Sequence, residues 1–258
     1  MSSVRAMAAT MRGAVAEAGA KRAALASQIT VMVVNDFVWI VFWVLFFHKV
    51  GEVRGWDGSR VLMLLAVLTT AAGLSLGVMS NARRVGTMAV DGDLDAVLAL
   101  PVPPLAYLLL RRIEPVNMGD LVFGLALFAV AGHPTPVRTA VFAGVVVAAA
   151  ALMTGFLVLT GSLAFFSGRS EPGELGFHTV LMTSAYPVDM FAGAAKVLLY
   201  TVIPAAFVAS IPSRLVEDFD AGYAAWLVVV STTFAAAGWA VFTIGLRRYT
   251  SGAVWTRA

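Results

Sequence analysis

The sequence predicts an all-α polytopic membrane protein, and three observations carry that reading. Of 258 residues, 60% are hydrophobic and 13% charged, with a mean hydropathy of +0.86. A soluble domain has about 45–50% apolar and about 25% charged residues, so most of this surface must meet lipid rather than water. Apolar runs close to the roughly 20 residues needed to cross a hydrocarbon core recur from end to end. Lys and Arg, finally, gather between alternate runs, as membrane topology requires. The whole of 1–258 reads as a single transmembrane domain with six crossings.

The elements follow in order. In residues 1–27, Met7, Met11 and Val15 recur at a spacing of four, Arg5 and Arg12 point to the other side, and Glu17 pairs with Lys21. That pattern predicts an amphipathic helix lying in the cytoplasmic interface. It has no continuous apolar core before a cleavage site, so it is not a secretory signal. Spans are expected at 29–47, 61–79, 116–131, 137–166 and 223–246. The third is short, because Arg111, Arg112 and Glu114 limit its extension. Between 176 and 211 lie Pro187 and Pro204, with Pro212 just beyond; each removes a backbone donor and disfavours continuous helix. Two solutions have the same parity. Either an interfacial helix precedes a span at 189–211, or a crossing at 176–191 precedes a broken helix that dips back from the outside.

Orientation follows from the cations. With the N-terminus inside, Arg5, Arg12, Lys21, Arg22, Arg83, Arg84, Arg111, Arg112, Arg169, Arg247, Arg248 and Arg257 are cytoplasmic. Lys49, Arg54, Arg60, Arg138 and Arg214 fall outside, and Lys196 is unassigned. The bias places both termini in the cytoplasm, at the inner membrane of a cell. The basic residues sit between apolar runs rather than on one soluble face, which argues against a nucleic-acid partner despite a net charge of +3.

Several chemistries are excluded. Without cysteine there is no disulfide, thiolate metal site or thiol nucleophile. No lysine follows a glycine, so there is no phosphate-binding G-x-x-x-x-G-K-[ST] loop. His48, His133 and His178 are scattered. Asp91-Gly92-Asp93-Leu94-Asp95 resembles the start of a calcium loop, but Ala96 and Val102 stand where that loop needs glycine and glutamate. No catalytic residue, metal site or cofactor is expected.

Ionisable groups inside lipid are costly unless paired or hydrated, so they are candidate pathway residues. Asp36, next to Asn35, lies in the first span and Asp120 in the third. Asp189 and Lys196, seven residues apart, can share a face. The alternative function these residues support is a proton-coupled secondary transporter. A membrane-embedded enzyme ranks last, since no nucleophile–base pair is present.

The stretch from 80 to 115 is the most informative. Asp91 or Asp93 can cap a short helix, Leu94, Val97 and Leu98 make one apolar face, and Pro101 stops it. A cytoplasmic helix with an exposed apolar stripe needs something to dock against. The pattern Gly92-x-Leu94-x-x-x-Leu98-x-x-Pro101 resembles the coupling segment of type-2 (ABC-2-like) bacterial ABC exporter permeases. Tyr186-Pro187-Val188-Asp189-Met190-Phe191, Ile203-Pro204-Ala205-Ala206-Phe207 and Gly245-Leu246-Arg247-Arg248-Tyr249-Thr250-Ser251 are similar to segments of one family in that group.

The resemblance implies a permease that dimerises with itself or a sister subunit and binds two separate ABC ATPase subunits. Gly92, Asp93, Leu94, Val97, Leu98 and Pro101 would then couple to the ATPase, and ATP hydrolysis would lie on the partner. The mechanism suggests a lipid-like or drug-like amphiphile as cargo.

Overall fold

The computed structural model describes residues 22–249, together with residues 9, 12 and 13. Apart from residues 9, 12 and 13, the amphipathic helix expected over residues 1–27 therefore lies outside the described residues as far as residue 21. From Arg22 onward the chain is already part of the first long helix, α1 (Arg22–Val50). The described residues are helical and contain no strand; their isolated bridge, Val53 with Trp56, closes the turn after α1.

Four helices are long and apolar enough to cross a membrane: Ile29–Val50 within α1, Gly58–Val78, Pro136–Ser167 and Ala221–Leu246. The second comprises α2 (Gly58–Ala72) and a π-helical continuation, Gly73–Val78. A 3-10 turn and three short helices follow, α3 (Val85–Asp91), α4 (Asp95–Leu98) and α5 (Pro104–Leu110). Next come α6 (Pro115–Ala131), α7 (Pro136–Ser162), α8 (Ala164–Ser167) and α9 (Glu171–Ser184). The described residues close with α10 (Gly193–Thr201), a π turn at Ala206–Ser210, α11 (Ile211–Glu217) and α12 (Ala221–Leu246). Two further spans exist if bent pairs count as one: α5 with α6 at 76°, and α10 with Ala206–Glu217 at 67°.

Local chemistry sets the helix starts. Asp57, Thr135 and Asp220 sit in extended backbone and accept hydrogen bonds from the Arg60, Arg138 and Tyr223 amides at 2.9, 3.2 and 2.8 Å. Each cap satisfies an otherwise orphaned donor and stabilises its helix by about 1 kcal/mol. Because α2, α7 and α12 all start at the same end of the bundle, the three caps share that end. So do Arg60, Arg138 and Arg214, whereas Arg83, Arg84 and Arg169 follow the far ends of α2 and α7. These six of the cations read from the sequence thus lie at opposite ends, three at each.

The core forms where α7 meets α12, α2 and α9, with Leu152, Met153, Leu157 and Phe242 all buried. Glycines bring α7 and α12 together: a Cβ at Gly155 would stand 2.6 Å from the Ala235 nitrogen, and one at Gly238 2.5 Å from the Gly155 oxygen. Between helices in lipid, where hydrophobicity gives no drive, such close backbone packing supplies the attraction. α1 is different. Val31, Val34, Phe37, Val38 and Leu45 all face outward, as expected of a peripheral helix lying against lipid or another apolar surface.

The π segment in the second span escaped the sequence reading. It frees carbonyls that the next span uses: Asn117 Nδ2 donates to Leu76 O at 3.1 Å, and the Glu114 amide to Gly77 O at 2.9 Å. π-Bulges persist where tertiary partners satisfy the displaced groups.

Candidate functional site

The sequence-predicted residues resolve into three groups. The first is the face around α3–α5. α3 ends at Gly92, whose φ of +83° is a left-handed conformation that strains other residues. Asp91 is therefore the last residue of α3 and not an N-cap, and α4 begins without a side-chain cap. The expected apolar stripe divides. Leu94 and Val97 are each 1% exposed and belong to the main core, so they offer nothing to a partner. Leu98 at 41% points outward, joined by Val90 at 46% and Leu100 at 40%. Asp93 and Pro101 are exposed beside them. The stripe was misjudged because spacing identifies a face but not what covers it.

The far side of that face is anchored to the helices. Asn81 Nδ2 donates to Leu108 O at 2.8 Å and Ser80 Oγ to Arg112 O at 2.9 Å. The Arg83 guanidinium stacks 4.4 Å from the Phe177 ring of α9. Tyr249, just past α12, buries its hydroxyl beside the Asp95 carboxylate and the Leu94 main chain; burial first, then that carboxylate, pushes it up to about 12. Sequence reasoning quoted Tyr249 within the C-terminal motif but gave it no role.

The second group is the pair of intramembrane carboxyls. Asp36 on α1 and Asp120 on α6 are 6% and 3% exposed and line one cavity of ≈ 80 Å³. Its walls come from α1 (Met32, Trp39), α2 (Leu65, Leu68), α6 (Phe123) and α9 (Leu181). The Asn35 amide lies beside Asp36, yet Asp36 Oδ2 and Asp120 Oδ1 have no hydrogen-bond partner.

The third group surrounds Asp189, in the loop between α9 and α10. Lys196 Nζ donates to Oδ1 at 2.7 Å, while Trp56 Nε1 at 3.1 Å and Arg214 Nη2 donate to Oδ2. Arg54 binds the same loop through Asp189 O at 2.7 Å and Phe191 O at 3.4 Å. The Arg214 guanidinium also lies 5.0 Å from the centre of the Trp56 ring. Burial alone would raise the Asp189 carboxyl, but the hydrogen bonds from Lys196 and Trp56 and the charge of Arg214 hold it below the ordinary range. The preceding Tyr186-Pro187-Val188 is fixed as well. Tyr186 packs edge-on against Trp39 and Trp43, each at 5.7 Å, and the Val188 amide donates to Ser210 Oγ at 3.0 Å. Spacing had joined Asp189 to Lys196; Arg54, Trp56 and Arg214 gave no signal beyond their places in predicted loops.

A family model described as ABC-2 family transporter protein matches residues 33–253. The chain belongs to that family. It is accordingly an ABC-transporter permease, an integral membrane subunit, as the resemblance implied. No curated protein and no solved structure matches it. The match takes in all three groups of this ABC-2 permease, from Asp36 in α1 to Tyr249 beyond α12. The described residues hold no group of three or more His, Cys, Asp or Glu side chains arranged to take a metal.

Proposed function

We propose that this ABC-2 permease is the membrane half of an exporter, paired with a second copy or sister permease and driven by two separate ATPase subunits. Family membership across residues 33–253 carries the reading, because it implies association with ABC ATPase subunits. Both termini face the cytoplasm of the inner membrane, in line with the cation bias. The face bearing Val90, Asp93, Leu98, Leu100 and Pro101 docks on the ATPase, with Gly92 setting its turn and Leu94 and Val97 supporting it from beneath. The segregation of cations and the outward position of Leu98 support that assignment.

α9 crosses the membrane, and α10 with Ala206–Glu217 is a re-entrant hairpin. Support comes from the ties of Asp189 to Arg54 and Arg214 and of Glu217 to Arg60, at 3.5 Å, all at the capped end of α2. Closure of the ATPases tilts paired bundles and opens a path outward between them.

The test is co-purification with an ABC ATPase subunit co-expressed with the chain. Leu98→Asp places a carboxylate in an apolar contact at a cost of several kcal/mol, so it should insert and remain folded while losing the ATPase. Leu94→Asp should instead lower the thermal midpoint, since Leu94 is core. Asp57→Ala, at the opposite end, should leave ATPase binding unchanged. Full ATPase binding by Leu98→Asp would move the coupling surface elsewhere.

A further inference from the structure

The Asp36–Asp120 cavity holds two carboxyls that no cation among the described lining residues answers. No Lys, Arg or His is among its lining residues, and the two unpartnered oxygens belong to side chains more than nine-tenths buried. At 1.5 Å per residue, Asp36 lies about 10 Å into Ile29–Val50 and Asp120 about 8 Å into α6. Both depths are measured from the end that carries α3–α5, so the carboxyls share one level of the membrane. A buried polar atom without a partner costs about 1–3 kcal/mol, and more when charged. Four helices maintain that cost instead of filling the space with a methyl group.

Apart from Asn35 and Thr69, whose hydroxyl donates to Leu65 O at 2.8 Å, the remaining walls are apolar and aromatic. Trp39 and Phe123 offer ring faces, and Met32, Leu65, Leu68 and Leu181 an oily surround. A hard divalent metal ion needs six or more oxygens, whereas only two carboxyls line this cavity and the described residues hold no group of three or more acids, His or Cys arranged to take a metal. A small ammonium head on an apolar tail needs only opposite charge, aromatic faces and an oily surround.

We propose that the cavity between α1, α2, α6 and α9 is a binding site for an amphiphilic ammonium cation, whose charged head sits between Asp36 and Asp120. The proposal rests on the permease reading and gives its cargo a chemical class, a lipophilic amine drawn from the membrane. α1 is the wall between cavity and lipid, and its exposed Val34, Phe37 and Val38 leave an apolar track for the tail.

The experiment uses the whole chain in phosphatidylglycerol nanodiscs without ATPase. n-Octylammonium is the probe, because its small head fits a cavity of ≈ 80 Å³ and stays charged through neutral pH, and nonane is its neutral isostere. Binding read by calorimetry and by tryptophan fluorescence should be at least tenfold tighter for the cation. Asp36→Asn and Asp120→Asn should each weaken the cation at least tenfold and leave the isostere unchanged. Their thermal midpoints should be equal to wild type or higher, since each removes an unanswered buried carboxyl. Repeating the titration in nanodiscs that contain phosphatidylethanolamine identifies the source: equal affinity assigns the site to a free amine, and weaker affinity to an ethanolamine headgroup. Absent cation binding, equal binding of the isostere, or undiminished binding by the double variant would overturn the site. None of these results bears on ATPase co-purification, so the site and the coupling reading fail separately.

Discussion

Asp189 and the Asp36–Asp120 pair look alike in sequence, as lone acids in hydrophobic surroundings, yet the fold treats them oppositely. Asp189 is held by Lys196, Arg214 and Trp56, with Arg54 clamping its main chain. Asp36 and Asp120 each keep an oxygen with no partner, in a cavity without a single cation. The first arrangement joins three segments: the α1–α2 turn, α10 and α11. The second joins nothing. A carboxylate saturated by its own chain is spent on structure, whereas one left unanswered at a cost is available to a ligand. A proton carrier at Asp189 therefore fits poorly, because a carboxyl so thoroughly paired resists protonation.

The sharpest way to break this contrast is to neutralise each acid with minimal change of shape. Asp189→Asn removes the charge that three donors share. Hydrogen bonds to charged groups are worth about 1.5–3 kcal/mol each. Lys196 and Arg214 are 39% and 47% exposed at their side chains, so solvent screening reduces the total to about 2–3 kcal/mol. The thermal midpoint in nanodiscs should fall by several degrees. Asp36→Asn should leave it unchanged or raise it. Equal losses from the two substitutions would mean that Asp36 has structural partners, and the comparison would collapse.

A smaller effect separates main-chain clamping from charge pairing. Arg54 touches Asp189 and Phe191 through their carbonyls rather than the carboxylate. Arg54→Ala should cost about 1 kcal/mol, the net worth of an ordinary exposed bond. It should add to the Asp189→Asn loss almost in full, because the two changes remove different bonds. Strong non-additivity in that double-mutant cycle would show that Arg54 acts through the carboxylate as well.

What could be read in the sequence follows the range of the forces involved. The long spans were legible because about 20 apolar residues and a capping Asp or Thr are local features. The pairing of Asp189 with Lys196 was legible from a spacing of seven. Its remaining partners were not, since Trp56 and Arg54 lie 133 and 135 positions away. The π segment at Gly73–Val78 depends on Asn117 and Glu114 from another span, so no local pattern announces it. Leu94 and Leu98 show the same limit on the candidate coupling face: spacing made them equivalent, and packing buried one and exposed the other. Asp36 and Asp120 were found individually as costly residues, but their meeting in one cavity depends on how α1 packs on α6.

The smallest expected effect is a pH response that the outer cluster should not give. The folded Asp189 carboxyl lies below its ordinary value, so its contribution to stability is fully present above the unfolded pKa of about 3.9. That contribution is lost only as pH falls through the lower folded value. Between pH 8 and 5 the wild-type midpoint and that of Asp189→Asn should therefore run parallel, separated by a constant interval. Below about pH 4 the interval should narrow, as acid removes from the wild type the same charge that the substitution removed. An interval that already closes between pH 7 and 5 would mean that Asp189 takes up its proton as an unpaired buried carboxyl does. The two acidic regions would then differ in surroundings but not in chemistry, and the reason for reserving the cation site to Asp36 and Asp120 would be gone.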